Sequence, residues 1–496
     1  MTRRRLGWHR ITAMLVALTV GCGAALLACT GAQHPTGTHT GTHHHGTFVA
    51  ERSVSDLVDP STGAADIRAT LVARMTKVTI SSGREFDAWT WDGTIPGPQL
   101  TVRQGELVEV SARNEDVEDG VTVHWHGIDV PGAMDGVAGV TQQAILPGQE
   151  FVYRFRPQQA GTFWYHTHQN SAVGVGRGLF GAFIVLPAGN SAIQPAALDR
   201  VLLAHTWREK GRKDTTTIGA DAGSSVSSVA PGTAVRLRLI NTDSLPQHWA
   251  VNGTAFTVVA IDGTDVNEPT LLRQRTLTLG AGGRYDVAFV MPSEPVVVGL
   301  LDGNRPQQLL LPTHPAGPTE AAEPTDVPGP TDVPELVGGP EFDPLGYGTR
   351  APVPFSMASR YDVEAVQKLE TQRIFHNGVP TTRWTINGKR APDIPMIMVD
   401  EGDTARVHII NASDTVHPMH LHGHHVLVLQ RNGVAPRGSP WWADTVNLNP
   451  GDDVWVAFTA DNPGLWMDHC HNLDHQAAGM LMHVGYRGIS TPYGHD

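Results

Sequence analysis

Four short segments of the chain concentrate nitrogen and sulfur donors: His124-Trp125-His126, His166-Thr167-His168, the run from His417 through His420 to His422, and His469-Cys470-His471, which His475 and Met480 follow. A single His-X-His is weak evidence for a metal. On a β-strand, however, residues i and i+2 point to one face, so each triplet presents two imidazoles side by side, and four pairs supply eight nitrogens. Eight imidazoles suit three copper ions. In His469-Cys470-His471 the same alternation sends both histidines to one face and the Cys470 thiolate to the other, so one strand touches two metal sites. On the thiolate side, His417, Cys470 and His475 make a set of two imidazoles and a thiolate, with Met480, ten residues after the cysteine, as a weak axial ligand. This is the donor composition of a blue-copper electron-transfer site. Zinc needs only about four ligands in a closed tetrahedron and would leave most of these histidines unexplained.

The elements that must position these donors read as strands. Fifty-three glycines and thirty-five prolines against 17% charged residues suggest many short strands joined by turns, so an all-β fold is expected. At 496 residues the chain exceeds a single domain. Its net charge, 36 − 49 = −13, argues against a nucleic-acid partner. Three cysteines cannot form a disulfide framework, and two of them, Cys22 and Cys29, lie in the leader.

That leader has a basic start, Met1 to Arg10, and an uncharged apolar run, Ile11 to Ala28, which is the order of an export signal. Leu26-Leu27-Ala28-Cys29 resembles a bacterial lipoprotein cleavage box, and Arg3-Arg4-Arg5 faintly resembles a twin-arginine signal. Cleavage, lipidation at Cys29 and retention as an anchor stay open; each puts residues 30 onward outside the cytoplasm. Residues 30–64 form an arm, rich in His, Gly and Thr at its start, with no core-forming pattern and no assigned catalytic role.

Self-comparison divides the rest into three units. Pro98 to Gly105 and Pro395 to Gly402 share their Pro-to-Gly spacing; Val235 to Asn241 parallels Ala405 to Asn411, and these runs lead to Gly253 and Gly423. The expected domains span 65–190, 191–311 and 346–490, with a proline-rich linker at 312–345. Aligned on the glycines, His417, His420 and His422 become Val121, His124 and His126 in the first unit, and Gln247, Ala250 and Asn252 in the second. Units one and three should therefore share the imidazole cluster, unit three alone should hold the thiolate site, and unit two should act as a spacer.

These segments resemble, in order and spacing, the signature of the laccase-like multicopper oxidases. The resemblance extends from about residue 65 to 487 and implies three tandem cupredoxin-like Greek-key β-sandwich domains. It implies four copper ions: a type 1 ion on His417, Cys470, His475 and Met480; a type 2 ion on His124 and His420; and a type 3 pair, one ion on His126, His166 and His471 and the other on His168, His422 and His469. Asp135, in Pro131-Gly132-Ala133-Met134-Asp135-Gly136, matches the family acid near the type 2 copper and is the expected proton-handling residue; a turn aspartate is the plainer reading. Many bacterial relatives carry an acid after the second type 1 histidine, where this chain has Gln476.

By this resemblance the chain is an oxidase whose partners are dioxygen and a small reducing substrate. A phenol, an aromatic amine, bilirubin or a metal ion such as cuprous ion all fall within the family's range. The competing reading is a copper carrier or blue electron-transfer protein without oxygen chemistry, which needs only the four type 1 donors. A copper nitrite reductase would use a smaller ligand set. Trp441, Trp442 and Asp444 are candidates to line the pocket over the type 1 site, with ordinary packing as the alternative. Outside the signature, His205, His248, His376, His408, His424, His425 and His483 are expected to be structural or surface residues.

Overall fold

A computed structural model describes residues 52–189, 196–313, 333–376 and 379–494. The leader, including Cys22 and Cys29, the first part of the His-rich arm and residues 314–332 of the linker lie outside the described residues. The fold is all-β, as expected. Strands between Ile67 and Leu186 form two four-stranded sheets, those between Leu198 and Pro312 a six- and a five-stranded sheet, and those between Val363 and Tyr486 another six- and five-stranded pair. No helix among the described residues is long and apolar enough to cross a membrane.

The repeat read from the sequence is a repeat of pairing. In each unit the first long strand runs parallel to a later one: Ile67 opposite Val108, Leu198 opposite Val235, Val363 opposite Ala405. Each of those later strands ends in a buried asparagine whose side-chain amide ties down the loop that follows. Asn114 Nδ2 donates to the carbonyls of Val117 and Ile145, Asn241 Nδ2 to those of Leu245 and Leu279, and Asn411 Nδ2 to those of Thr415 and Leu448. Buried carbonyls need such partners. The third clamp fixes the chain two residues before His417.

Two boundaries differ from expectation. The described part of the arm assigned to 30–64 packs on the body: Arg52–Ser53 pairs in parallel with Ile489–Ser490, and Val54 and Leu57 are buried. Apolar residues at those two positions give this end of the arm something to bury, which its Gly/Thr/His start lacks. The linker likewise ends before 345, because Leu336, Phe342 and Leu345 are buried and Phe342 N–H donates to the Thr276 carbonyl of the second unit.

Candidate metal centre

The strands His124–His126, Gly161–His166, His417–Leu421 and Leu465–Cys470 carry seven of the donors, and His168, His422, His471 and His475 follow just beyond their ends. Within domain one His124 pairs with His166, and within domain three His420 pairs with His469, so each pair of strands lays its histidines next to one another. The two sets then meet across the domains. His124 Nε2 stands 3.4 Å from His420 Nε2, and the His126 and His420 rings stack at 3.8 Å. His422 Nε2 stands 3.1 Å from His469 Nε2, and His168 joins them in one group of donor atoms. His471 closes the cluster with its ring 4.8 Å from His126 and 5.4 Å from His166.

Most of these rings are held by one nitrogen and present the other inward. His124 Nδ1–H donates to the Asp135 carbonyl at 2.9 Å and to Oδ1 at 3.1 Å, while His422 Nδ1–H donates to Asp135 Oδ2 at 2.9 Å. His166 Nδ1, His420 Nδ1 and His469 Nδ1 donate to the carbonyls of Thr167, Asp444 and Cys470. His126 is reversed: its Nε2 meets Thr445 Oγ1 and Asp444 Oδ1, both at 3.2 Å. The nitrogens left over, His126 Nδ1, His166 Nε2, His168 Nε2 and both of His471, are buried without a hydrogen-bond partner. Several orphaned donors in one place are expensive, about 1–3 kcal/mol each. They fit a group that takes neutral imidazole. Burial pulls His126, His166, His168, His422, His469 and His471 well below the usual histidine range, with neighbouring imidazoles adding to it, which keeps the rings neutral for a metal.

On the other face of the same strand, Cys470 Sγ lies 3.5 Å from His417 Nδ1 and 3.7 Å from His475 Nδ1, and those two nitrogens are 3.1 Å apart. Burial pushes the thiol up and pulls His417 down to about 3 and His475 to about 4. Ser413 Oγ and Thr415 Oγ1 hold His417 by its Nε2 at 2.8 and 3.2 Å, and Trp384 lies on the His475 ring at 4.1 Å. The short helix Leu473–Ala477, capped by Asn472, turns the chain back so that the Cys470 N–H donates to the Met480 carbonyl. Met480 is fully buried on that return. Two imidazoles, a thiolate and a nearby thioether-bearing residue fit copper, as do the eight imidazoles behind them.

Of the two readings left open for Trp441, Trp442 and Asp444, packing is the one seen, and the spacer reading of the second unit changes. Asp444 does not line the thiolate side: it is buried against His126 and His420. Trp441 is packed in a crevice against Ile261 and Tyr347, and Trp442 packs against Phe355. Nor is the second unit only a spacer. Its Arg284, fully buried, makes a bidentate pair with Asp444 at 2.7 and 2.5 Å. Its Gly282, at φ +83°, runs so close to the cluster that a β-carbon there would stand 2.8 Å from His126 Cε1. A cleft of about 490 Å³ between the second and third units reaches from Glu341 and Asp452 to Thr445, the hydroxyl beside His126 and His420.

The residues outside the signature stay outside. His248 pairs with Asp302 on the surface, His408 stacks on Trp455, His424 Nε2 meets the Tyr486 hydroxyl, and His205 sits beside Thr242. Gln476 joins the domains through Ser171, whose hydroxyl donates to its Oε1 at 2.9 Å.

Three multicopper oxidase family models match residues 72–190, 188–296 and 364–487. The multicopper oxidase MmcO of Mycobacterium tuberculosis is 26% identical over 94% of this chain and 95% of its own length. Laccase-1 of Melanocarpus albomyces is 28% identical over 78% and 73%. A crystal structure of the multicopper oxidase of Pseudomonas thermotolerans, 27% identical, superposes with a TM-score of 0.66 over 86% of this chain and all of that one. With the donor clusters in place and all three domains matched, the chain belongs to the multicopper oxidase family and is a laccase-like oxidoreductase that uses oxygen.

Proposed function

We propose that His417, Cys470 and His475, with Met480 as a weaker fourth partner, hold one type 1 copper ion, and that the eight cluster histidines hold three, divided as the family resemblance implies. The observation that carries this reading is the strand Leu465–Cys470 with His471: the Cys470 sulfur lies with His417 and His475, His469 lies with His168 and His422, and the His471 ring lies against His126 and His166. Copper so held supplies one-electron chemistry, accepting electrons from a reducing substrate at the thiolate side and delivering four of them to dioxygen, giving water, at the imidazole side. The chain's own residues do the rest. Backbone from Cys470 to His469 and His471 gives a covalent path between the sets. Asp135 fixes His124 and His422 from opposite domains and stands where protons are needed. Asp444, held by Arg284, orients His420 and His126, and the cleft ending at Thr445 supplies a way in for small molecules.

The reducing substrate is a small aromatic donor or a metal ion. Relatives of both descriptions exist, laccases on one side and a Campylobacter jejuni enzyme described as a metallo-oxidase on the other. The leader supports export, with attachment through Cys29 as one form of it. The test is copper load: about four ions per chain, with an intense visible thiolate-to-copper band that Cys470→Ser abolishes while the cluster keeps its copper. One ion per chain would support the carrier reading, and a blue Cys470→Ser would sink the type 1 assignment. Oxygen uptake with a phenol panel beside cuprous ion then identifies the substrate class.

A further inference from the structure

The strand Ile397–Val399 is at the edge of the five-stranded sheet of domain three and runs parallel to Leu481–Tyr486, with Met398 opposite Gly485. Alternation turns Ile397 and Val399 into the core and leaves Met396 and Met398 on the outer face, 43% and 37% exposed. Exposed apolar side chains on an edge strand are ordinary taken singly. These two converge. The position a β-carbon on Gly485 would take is 3.3 Å from the Met396 sulfur and 3.2 Å from the Met398 sulfur, so the thioethers lie no farther apart than those distances combined. Leu465 Cδ2, at 3.5 Å from the same point, lies beneath them, and the absence of a side chain on Gly485 lets both sulfurs settle against the sheet there.

The same sheet face continues inward with further nitrogen- and sulfur-bearing side chains. His483, two residues before Gly485, is opposite Met467, and Met467 is two residues before the cluster histidine His469. Thioether sulfur is soft and polarizable, and thioether ligands select cuprous ion over harder cations. We propose that Met396 and Met398 form a further metal site, outside both donor clusters, that takes a soft monovalent cation such as cuprous ion at the outer edge of this sheet. Two neutral sulfurs bind weakly and exchangeably, which suits an ion in transit. No electron transfer is required there.

The test uses full-length, copper-loaded protein carrying methyl-13C methionine, titrated with silver(I), the redox-inert counterpart of cuprous ion, and followed by NMR. The two methyl signals missing from Met396→Leu/Met398→Leu should shift with the first equivalents of silver, and the remaining methionine signals should move less. Leucine preserves the apolar volume, so the variant should retain its visible band and phenol turnover. Residues 30–47 offer silver their histidines but contain no methionine, so they do not enter the readout. Silver binding that leaves both assigned signals in place would overturn the site. Absence of copper and of the visible band in the wild-type protein would instead overturn the function proposed above, a separate outcome.

Discussion

Asp135 accepts from two imidazoles of two domains, and that makes Asp135→Asn an informative perturbation. A carboxylate offers an oxygen to each Nδ1–H, of His124 at 3.1 Å and of His422 at 2.9 Å. An asparagine offers one oxygen and one amide N–H, so one contact becomes donor against donor. Without metal the affected imidazole can move its proton to Nε2 and accept through Nδ1 instead. With Nε2 engaged by copper that escape is closed, so the cost falls on the loaded state. Losing one charge-assisted hydrogen bond is worth about 1.5–3 kcal/mol, or roughly 10- to 150-fold in affinity at 1.4 kcal/mol per decade. Partners of metal-bound histidines typically contribute about 10- to 100-fold, in agreement. Copper retention against a graded chelator is the assay: the variant should lose cluster copper at about a tenth or less of the chelator that strips the wild type, while the visible Cys470 band persists and oxygen uptake falls. Equal retention of cluster copper by both proteins would refute the two-imidazole bridge.

Removing one side of the buried Arg284–Asp444 pair, as in Arg284→Leu, should destabilise the protein by about 3–5 kcal/mol, read from urea unfolding of the copper-free form; a loss below about 1 kcal/mol would mean that the pair is not a stabilising contact. For His425, burial opposes the charge, but the carboxylates of Asp129 and Asp444 outweigh it and raise the group to about 9. Its stabilising contribution is complete below its unfolded value of about 6.5 and disappears as the pH rises through about 9, so the wild type should lose stability across that window and His425→Gln should flatten the profile. His248→Ala removes only a surface contact to Asp302 at 2.7 Å, so copper content should be unchanged and stability should move by about 1 kcal/mol or less.

The donor set was legible in the sequence because strand periodicity is a local rule: His-X-His on a strand puts both rings on one face wherever the strand goes. The repeat was legible for the same reason, since Asn241 and Asn411 end equivalent strands. What positions the rings was not. Arg284 follows two glycines at the start of a strand, and nothing local ties it to Asp444, 160 residues later. For Asp444 both a pocket-lining and a packing role stayed open, because the single residue between the strands Trp442–Ala443 and Thr445–Leu448 carries no periodicity from which to read a face. Asp135 was identified as an acid near the cluster, yet its grip on His422, 287 residues away, is a tertiary fact. Trp384, stacked on His475, arrives on a hairpin whose alternation tells only that it faces one side.

The cluster imidazoles come equally from the first and third domains, His124 and His420 facing one another across 296 residues of chain, whereas His417, Cys470 and His475 all belong to the third. An ion seated among the eight is thus a rivet through a seam, and closing so long a loop restricts the open chain far more than closing a short one does. Stripping that rivet would weaken the seam and leave contacts such as Ser171 to Gln476 to hold the outer domains, with each sandwich still folded. On the proposed reading, a molecule loosened in this way would keep a blue site able to take up electrons and lose the place where oxygen accepts them.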